Sequence, residues 1–240
     1  MKLNFIKKFR KQTFNESPAC IPISDCSTWL GFSLSDQGWH PFRQVVEEVI
    51  NDDRITYRSS SLCLFYNQFQ PHFLADAFGL DLSDQGFAAT TPANTYIQFN
   101  PWSDELKPMR NQECQHFGPA PNLGPKNFFV LKDLLGSIQK HGFNPRLASD
   151  SICGIWLVDY TGRRFIIRGG QHRCAVLAAL GHTTVPARVT ATVYLRDAAS
   201  WPLVRDGVLS IEEAVTVAQG YFLLSGVERQ PKKPTPQAIT

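Results

Sequence analysis

Gly169-Gly170-Gln171-His172-Arg173 places two glycines, an amide, an imidazole and a guanidinium in five consecutive positions. Such a cluster is suited to holding an anion. Before it, Phe165-Ile166-Ile167 is a short apolar run, as in a buried strand. After it, the residues to Leu180 are good helix formers, and Gly181 fits the position that ends a helix. The helix is apolar almost all round, which predicts burial. His172 and Arg173 therefore sit at the positive end of the helix dipole, a conflict of about 0.3–1 kcal/mol for each cation. A bound anion removes that conflict. First-turn N–H groups point outward, Gly170 admits a ligand close to the backbone, and Arg173 can form a bidentate contact. The structural alternative is a plain glycine turn, with Arg173 paired to a carboxylate elsewhere. The segment by itself leaves both open.

This turn, the Ala-rich helix, Gly181 and Thr184-Val185-Pro186-Ala187-Arg188-Val189 together resemble the core of the ParB/sulfiredoxin superfamily, including its free-serine-kinase-like members. That family carries a Gly-x-His-Arg turn, an A…A…LG helix and a strand opening with Val-Pro. Upstream, the stretch from Leu131 through Ser137-Ile138 and Gly142 to Pro145 resembles the family's preceding helix and turn. The resemblance covers about residues 125–195 of the sequence.

The resemblance implies a nucleotide, ATP or else ADP or CTP, with its phosphates on the glycine turn. Gly169, Gly170, Gln171, His172 and Arg173 would bind it, with Arg146 adding charge from a neighbouring loop. Sulfiredoxin chemistry is disfavoured, because Gln171 occupies the family's cysteine position and Cys174 falls inside the helix. DNA partition is disfavoured too: the chain after Val193 supplies one convincing helix, Ser210 onward, and no basic recognition helix. The favoured expectation is phosphoryl transfer from the nucleotide to a small-molecule hydroxyl, with Mg²⁺ as co-reactant. Asp159 and His172 are the candidate catalytic residues, and Asp150 is a further carboxylate. Against Asp159, aspartate is common in hairpin turns for local reasons. The competing class is a module that senses a nucleotide or another anion without chemistry. No protein metal site is expected: Cys114 and His116 form only a C-x-H pair, and Cys20 and Cys26 lack further ligands.

The elements that must position this turn follow from pattern. Ile155–Val158 and Phe165–Ile167 flank Asp159-Tyr160-Thr161-Gly162, as in a hairpin. Leu131, Leu134, Leu135 and Ile138 give one face of a helix near 128–141. Val185, Ala187 and Val189 alternate as in a strand. In the first half, short helices are expected after His40-Pro41, after Ser59–Ser61 and around Phe73–Phe78, with a strand at Tyr96–Phe99. Ser210 and Glu213 form a capping box.

The expected class is α+β, a mixed α/β core over 125–226, preceded by a mostly helical, loop-rich region 1–124 and followed by a disordered tail 227–240. The 240 residues, 43% hydrophobic with 17 Phe, suffice for a large core, and a net charge of +3 neither requires nor excludes nucleic acid. Six scattered cysteines fit a reduced, cytoplasmic protein. No stretch is long and apolar enough for a transmembrane helix. The basic N-terminus, with Leu3, Phe5, Ile6 and Phe9, could form a short amphipathic segment in weak contact with an anionic membrane surface; the favoured expectation is a solvated end that docks two aromatics.

Overall fold

The computed structural model describes residues 18–80, 86–109, 113–144 and 152–232. Its frame is a curled, mixed five-stranded sheet, and with the helices around it the fold is α+β. The strands are β1 (Ala19–Pro22), β2 (Cys26–Ser27), β3 (Ile152–Asp159), β4 (Gly162–Gly169) and β5 (Thr184–Tyr194), in the order β1-β5-β3-β4-β2. β3 and β4 form the expected hairpin, with Ile155 opposite Ile166 and Asp159 opposite Gly162. β5 lies parallel to β3, with Ile152 opposite Ala187.

Both edges come from the first half of the chain. β1 pairs antiparallel with β5, and β2 parallel with β4. The region before residue 125 is therefore not only helical and irregular. Two and four residues are too short to show an alternating pattern, and Pro22 ends β1 where an edge strand tolerates it.

The helices are α1 (Pro41–Asn51), α2 (Ser61–Gln68), α3 (Leu74–Phe78), α4 (Phe87–Thr90), α5 (Leu123–His141), α6 (Gln171–Ala179), α7 (Pro202–Arg205) and α8 (Ile211–Leu223). α6 is buried from Cys174 to Ala178, as its apolar composition requires, and packs against α1, α5 and β3. One apolar core runs from Ile21 to Tyr221 without a break at residue 124. Its first-half share is aromatic: Trp39 and Phe65 pack around Phe32, and Phe69 stacks on Phe65.

Three expectations are corrected. Tyr96–Phe99 is not a strand; Tyr96 makes one bridge, to Pro108, which has no N–H to extend a ladder. The capping box at α8 is half formed. Ser210 accepts from the Glu213 N–H at 3.0 Å, but the Glu213 carboxylate turns away to accept from the Ala88 N–H at 2.6 Å. The segment 227–232 is not an unpacked tail. Val227–Arg229 forms a 3₁₀ turn, and the Arg229 side chain is 5% exposed. Its Nη1 donates to the carbonyls of Leu30 (2.6 Å) and Ala77 (2.9 Å), and its guanidinium lies 4.2 Å from the centre of the Phe32 ring. The basic N-terminal segment, Arg146, Asp150 and residues 233–240 lie outside the described residues.

Candidate functional site

β4 ends at Gly169 and α6 begins at Gln171, so Gly170 alone makes the junction. Gly170 has φ +82°, and an added Cβ would lie 2.9 Å from Ile152 on β3. A side chain is barred twice, by the left-handed backbone and by the packing. Gly169 is tight as well, with the Cys153 Sγ 3.0 Å from its hypothetical Cβ. Packing thus accounts for both glycines, and the same packing turns the start of α6 onto a cavity. No described side chain caps that start.

The cavity measures about 270 Å³ and is mostly polar in its lining. Ile167, Arg168, Gly169, Gly170, Gln171 and His172 form the side that belongs to β4 and α6. Trp29, Ile97, Gln98, Gln115 and His116 face them from the first half of the chain. Among the described residues the lining holds one guanidinium, two imidazoles, three side-chain amides and no carboxylate. Arg168 is exposed at the rim. Two ring nitrogens in the wall, Trp29 Nε1 and His116 Nδ1, are buried without a hydrogen-bond partner among the described residues. Buried polar atoms are nearly always partnered, so two orphans in one cavity wall mark a place for a ligand or water.

His172 is not the cation that its sequence position suggested. Burial, with the nearby Arg173 charge adding to it, lowers its pKa to about 4, so the ring is neutral at pH 7. It stacks on Phe42 with centroids 4.6 Å apart, and its Nε2 lies 3.1 Å from Asn127 Oδ1. Asn127 Nδ2 donates to the Tyr66 hydroxyl at 2.9 Å, and that hydroxyl donates to the Gln115 carbonyl at 2.7 Å. Gln171 is held from the other side, its amide 3.2 Å from His40 Nε2. His40 Nδ1 accepts from the N–H groups of Phe42 (3.0 Å) and Arg43 (3.4 Å), which caps α1. Burial takes both His40 and His116 down to about 3, with His172 lowering each further. Three neutral imidazoles therefore gather around the start of α6.

Gly169, Gly170, Gln171 and His172, consecutive in the sequence, all line the cavity. Arg173 is half-buried and is not among the lining residues; Arg168 supplies the cation instead. Asp159 is not at the site. It sits in the hairpin turn at the far end of β4, about 23 Å away at ~3.3 Å per residue. There its Oδ1 accepts from the Tyr160 N–H at 2.6 Å, the local role that explains aspartate in such turns. A second cavity of about 430 Å³ adjoins it, lined mainly by apolar side chains such as Val158, Leu195 and Val215, with none of the glycine-turn residues. No group of three or more His, Cys, Asp or Glu among the described residues is arranged to hold a metal. Cys174 is fully buried and its thiol pKa is pushed well up by that burial, which makes it a packing residue.

The sequence left Trp29, His40, Tyr66, Gln115, Asn127 and Arg168 without roles. Asn127 carried a legible signal: at 127, 131, 134 and 138 it shares the apolar face of α5 with Leu131, Leu134 and Ile138. A polar residue on a core face needs a buried partner. His40 carried none, since histidine is not a usual helix cap.

No family model, no curated protein and no solved structure matches the chain.

Proposed function

We propose that the cavity at the start of α6 binds the phosphate of a nucleotide or a similar phosphorylated ligand. The observation that carries this is a helix start that no described side chain caps, opening into a polar cavity with Arg168 in its lining and no carboxylate among its described residues. A helix N-terminus and a guanidinium both favour an anion, and the described wall residues add no carboxylate repulsion. A nucleotide is the ligand class that the resemblance to the ParB/sulfiredoxin core favours. Mg²⁺ would arrive with that nucleotide, held by phosphate oxygens and water, since the described lining residues offer it no carboxylate.

Calorimetry with ATP, ADP, CTP and inorganic phosphate, each with and without Mg²⁺, tests the proposal. Saturable binding of at least one is expected. Arg168→Ala removes a charge-assisted contact of about 1.5–3 kcal/mol and is expected to weaken binding about 10- to 100-fold. Absence of binding by all four refutes the reading.

Phosphoryl transfer to a small-molecule hydroxyl is the second reading. What favours it is His172, a neutral imidazole held by a hydrogen bond at the cavity wall, the arrangement of an oriented base. Nucleotide turnover in the presence of hydroxyl acceptors, abolished in His172→Ala, supports it. Binding without turnover favours the sensing module.

A further inference from the structure

Two hydrogen-bond relays run into the cavity wall, and each starts on a backbone group whose role is fixed. The Gln115 carbonyl can only accept, so the Tyr66 hydroxyl donates its one proton there. The Tyr66 oxygen must then accept from Asn127 Nδ2, which turns Asn127 Oδ1 toward His172. An amide oxygen only accepts, so His172 Nε2 carries the proton. In the neutral ring, the other nitrogen is a lone-pair acceptor. The second relay starts from the Phe42 and Arg43 N–H groups, which can only donate, so His40 Nδ1 is the acceptor and Nε2 carries the proton. The Gln171 Nε2 lies 3.2 Å from His40 Nε2, which would set two donors face to face; turning the Gln171 amide over gives that proton the oxygen as its acceptor and leaves the NH₂ as a donor. Tyr66, Asn127 and His40, the middle links, are all more than nine-tenths buried, so water does not take their places.

We propose that the two relays set the hydrogen-bond polarity of the site, with Gln171 a donor and His172 an acceptor, so that it takes a phosphate ester carrying a neighbouring hydroxyl rather than a bare anion. This rests on the anion-binding reading above. Gln171 and His172 are adjacent at the start of α6 and both line the cavity. An anionic oxygen satisfies Gln171, Arg168 and the helix start. His172 cannot serve that oxygen, because an acceptor facing an anion repels it. It needs a donor, and a hydroxyl beside the phosphate supplies one. The depressed pKa of His172 agrees, since it keeps the ring an acceptor across the neutral range. Asn127 and Tyr66 act as positioning residues: they fix which nitrogen of His172 bears the proton.

The test uses the full chain, labelled with ¹⁵N, and three probes: inorganic phosphate, propyl phosphate and 2-hydroxypropyl phosphate. Long-range proton–nitrogen spectra at neutral pH assign the tautomers of His172 and His40; both are expected to be protonated at Nε2. Calorimetry is expected to show 2-hydroxypropyl phosphate binding about five-fold tighter than propyl phosphate, the worth of one neutral hydrogen bond. Tyr66→Phe frees the Asn127 amide to flip. It is expected to mix the His172 tautomers and abolish the hydroxyl preference while the His40 tautomer, which reports an intact fold, stays unchanged. Equal affinities for the two esters in the wild type, or a His172 protonated at Nδ1, overturn the inference even if phosphate binds. Failure of all three probes to bind overturns the polarity inference, and failure of ATP, ADP and CTP as well overturns the anion reading itself.

Discussion

Gly170 and Gly181 share a backbone conformation, φ +82° at both, and differ in surroundings. An added Cβ at Gly181 meets nothing within 4 Å, whereas at Gly170 it lies 2.9 Å from the Cα and Cγ1 of Ile152. The pair separates two costs of a side chain at the glycine turn. Gly181→Ala carries only the left-handed conformation, about 1–2 kcal/mol. Gly170→Ala carries the same term and overpacking against a strand backbone, which adds about 1–3 kcal/mol because Ile152 is fixed in the sheet by β5 and has no flexible end to yield. Urea unfolding at neutral pH measures both. With a slope of ~2–3 kcal/mol per molar, Gly170→Ala is expected to lower the midpoint by about 1–2 M and Gly181→Ala by less than about 1 M. Equal losses would refute the claim that packing on β3 sets the geometry of this junction. A larger loss at Gly181 would refute it more strongly.

Arg229→Ala is expected to cost about 3 kcal/mol in the same assay, because it removes the donor serving the Leu30 and Ala77 carbonyls; Arg229→Lys recovers only part, and a neutral result contradicts the packed reading of 227–232. His40, His116 and the half-buried His172 make stability fall in acid. Their folded pKa values of about 3, 3 and 4 lie below the unfolded value near 6.5, so the unfolded chain binds more protons. Stability is complete above about pH 6.5 and falls as pH drops toward 4, by up to ~1.4 kcal/mol per unit for each ring. A flat profile between about pH 7 and 5 contradicts neutral burial.

The hairpin, α6 and β5 were legible because each is an apolar or alternating run between clear breakers. Gly162, Gly170 and Gly181 mark the boundaries and adopt positive φ. β1 and β2 were not legible, because short edge strands owe their pairing to neighbours distant in sequence rather than to their own pattern. The same reasoning explains the site. The glycine turn announces itself locally, while its opposite wall, Trp29, Gln98, Gln115 and His116, arrives through tertiary packing of loops and short elements. Asp159 misled because one hairpin carries it and the turn in consecutive sequence yet sends them to opposite ends of the sheet. Arg173 is not among the cavity's lining residues, because helix position does not fix which way a long side chain runs, and Arg168, one strand residue before the glycines, lines the cavity.

The most direct measurement of the central claim is a phosphate titration followed by amide proton–nitrogen spectra of the full chain. A bound anion at the start of α6 is expected to move the Gly170, Gln171 and His172 amides and the Trp29 indole N–H in one saturable step, with Arg168→Ala shifting the midpoint upward at least ten-fold. Amides of the Asp159–Gly162 turn are expected to stay still. Saturable shifts centred anywhere else in the chain, or none at the glycine turn at millimolar phosphate, ATP or ADP, would contradict the account.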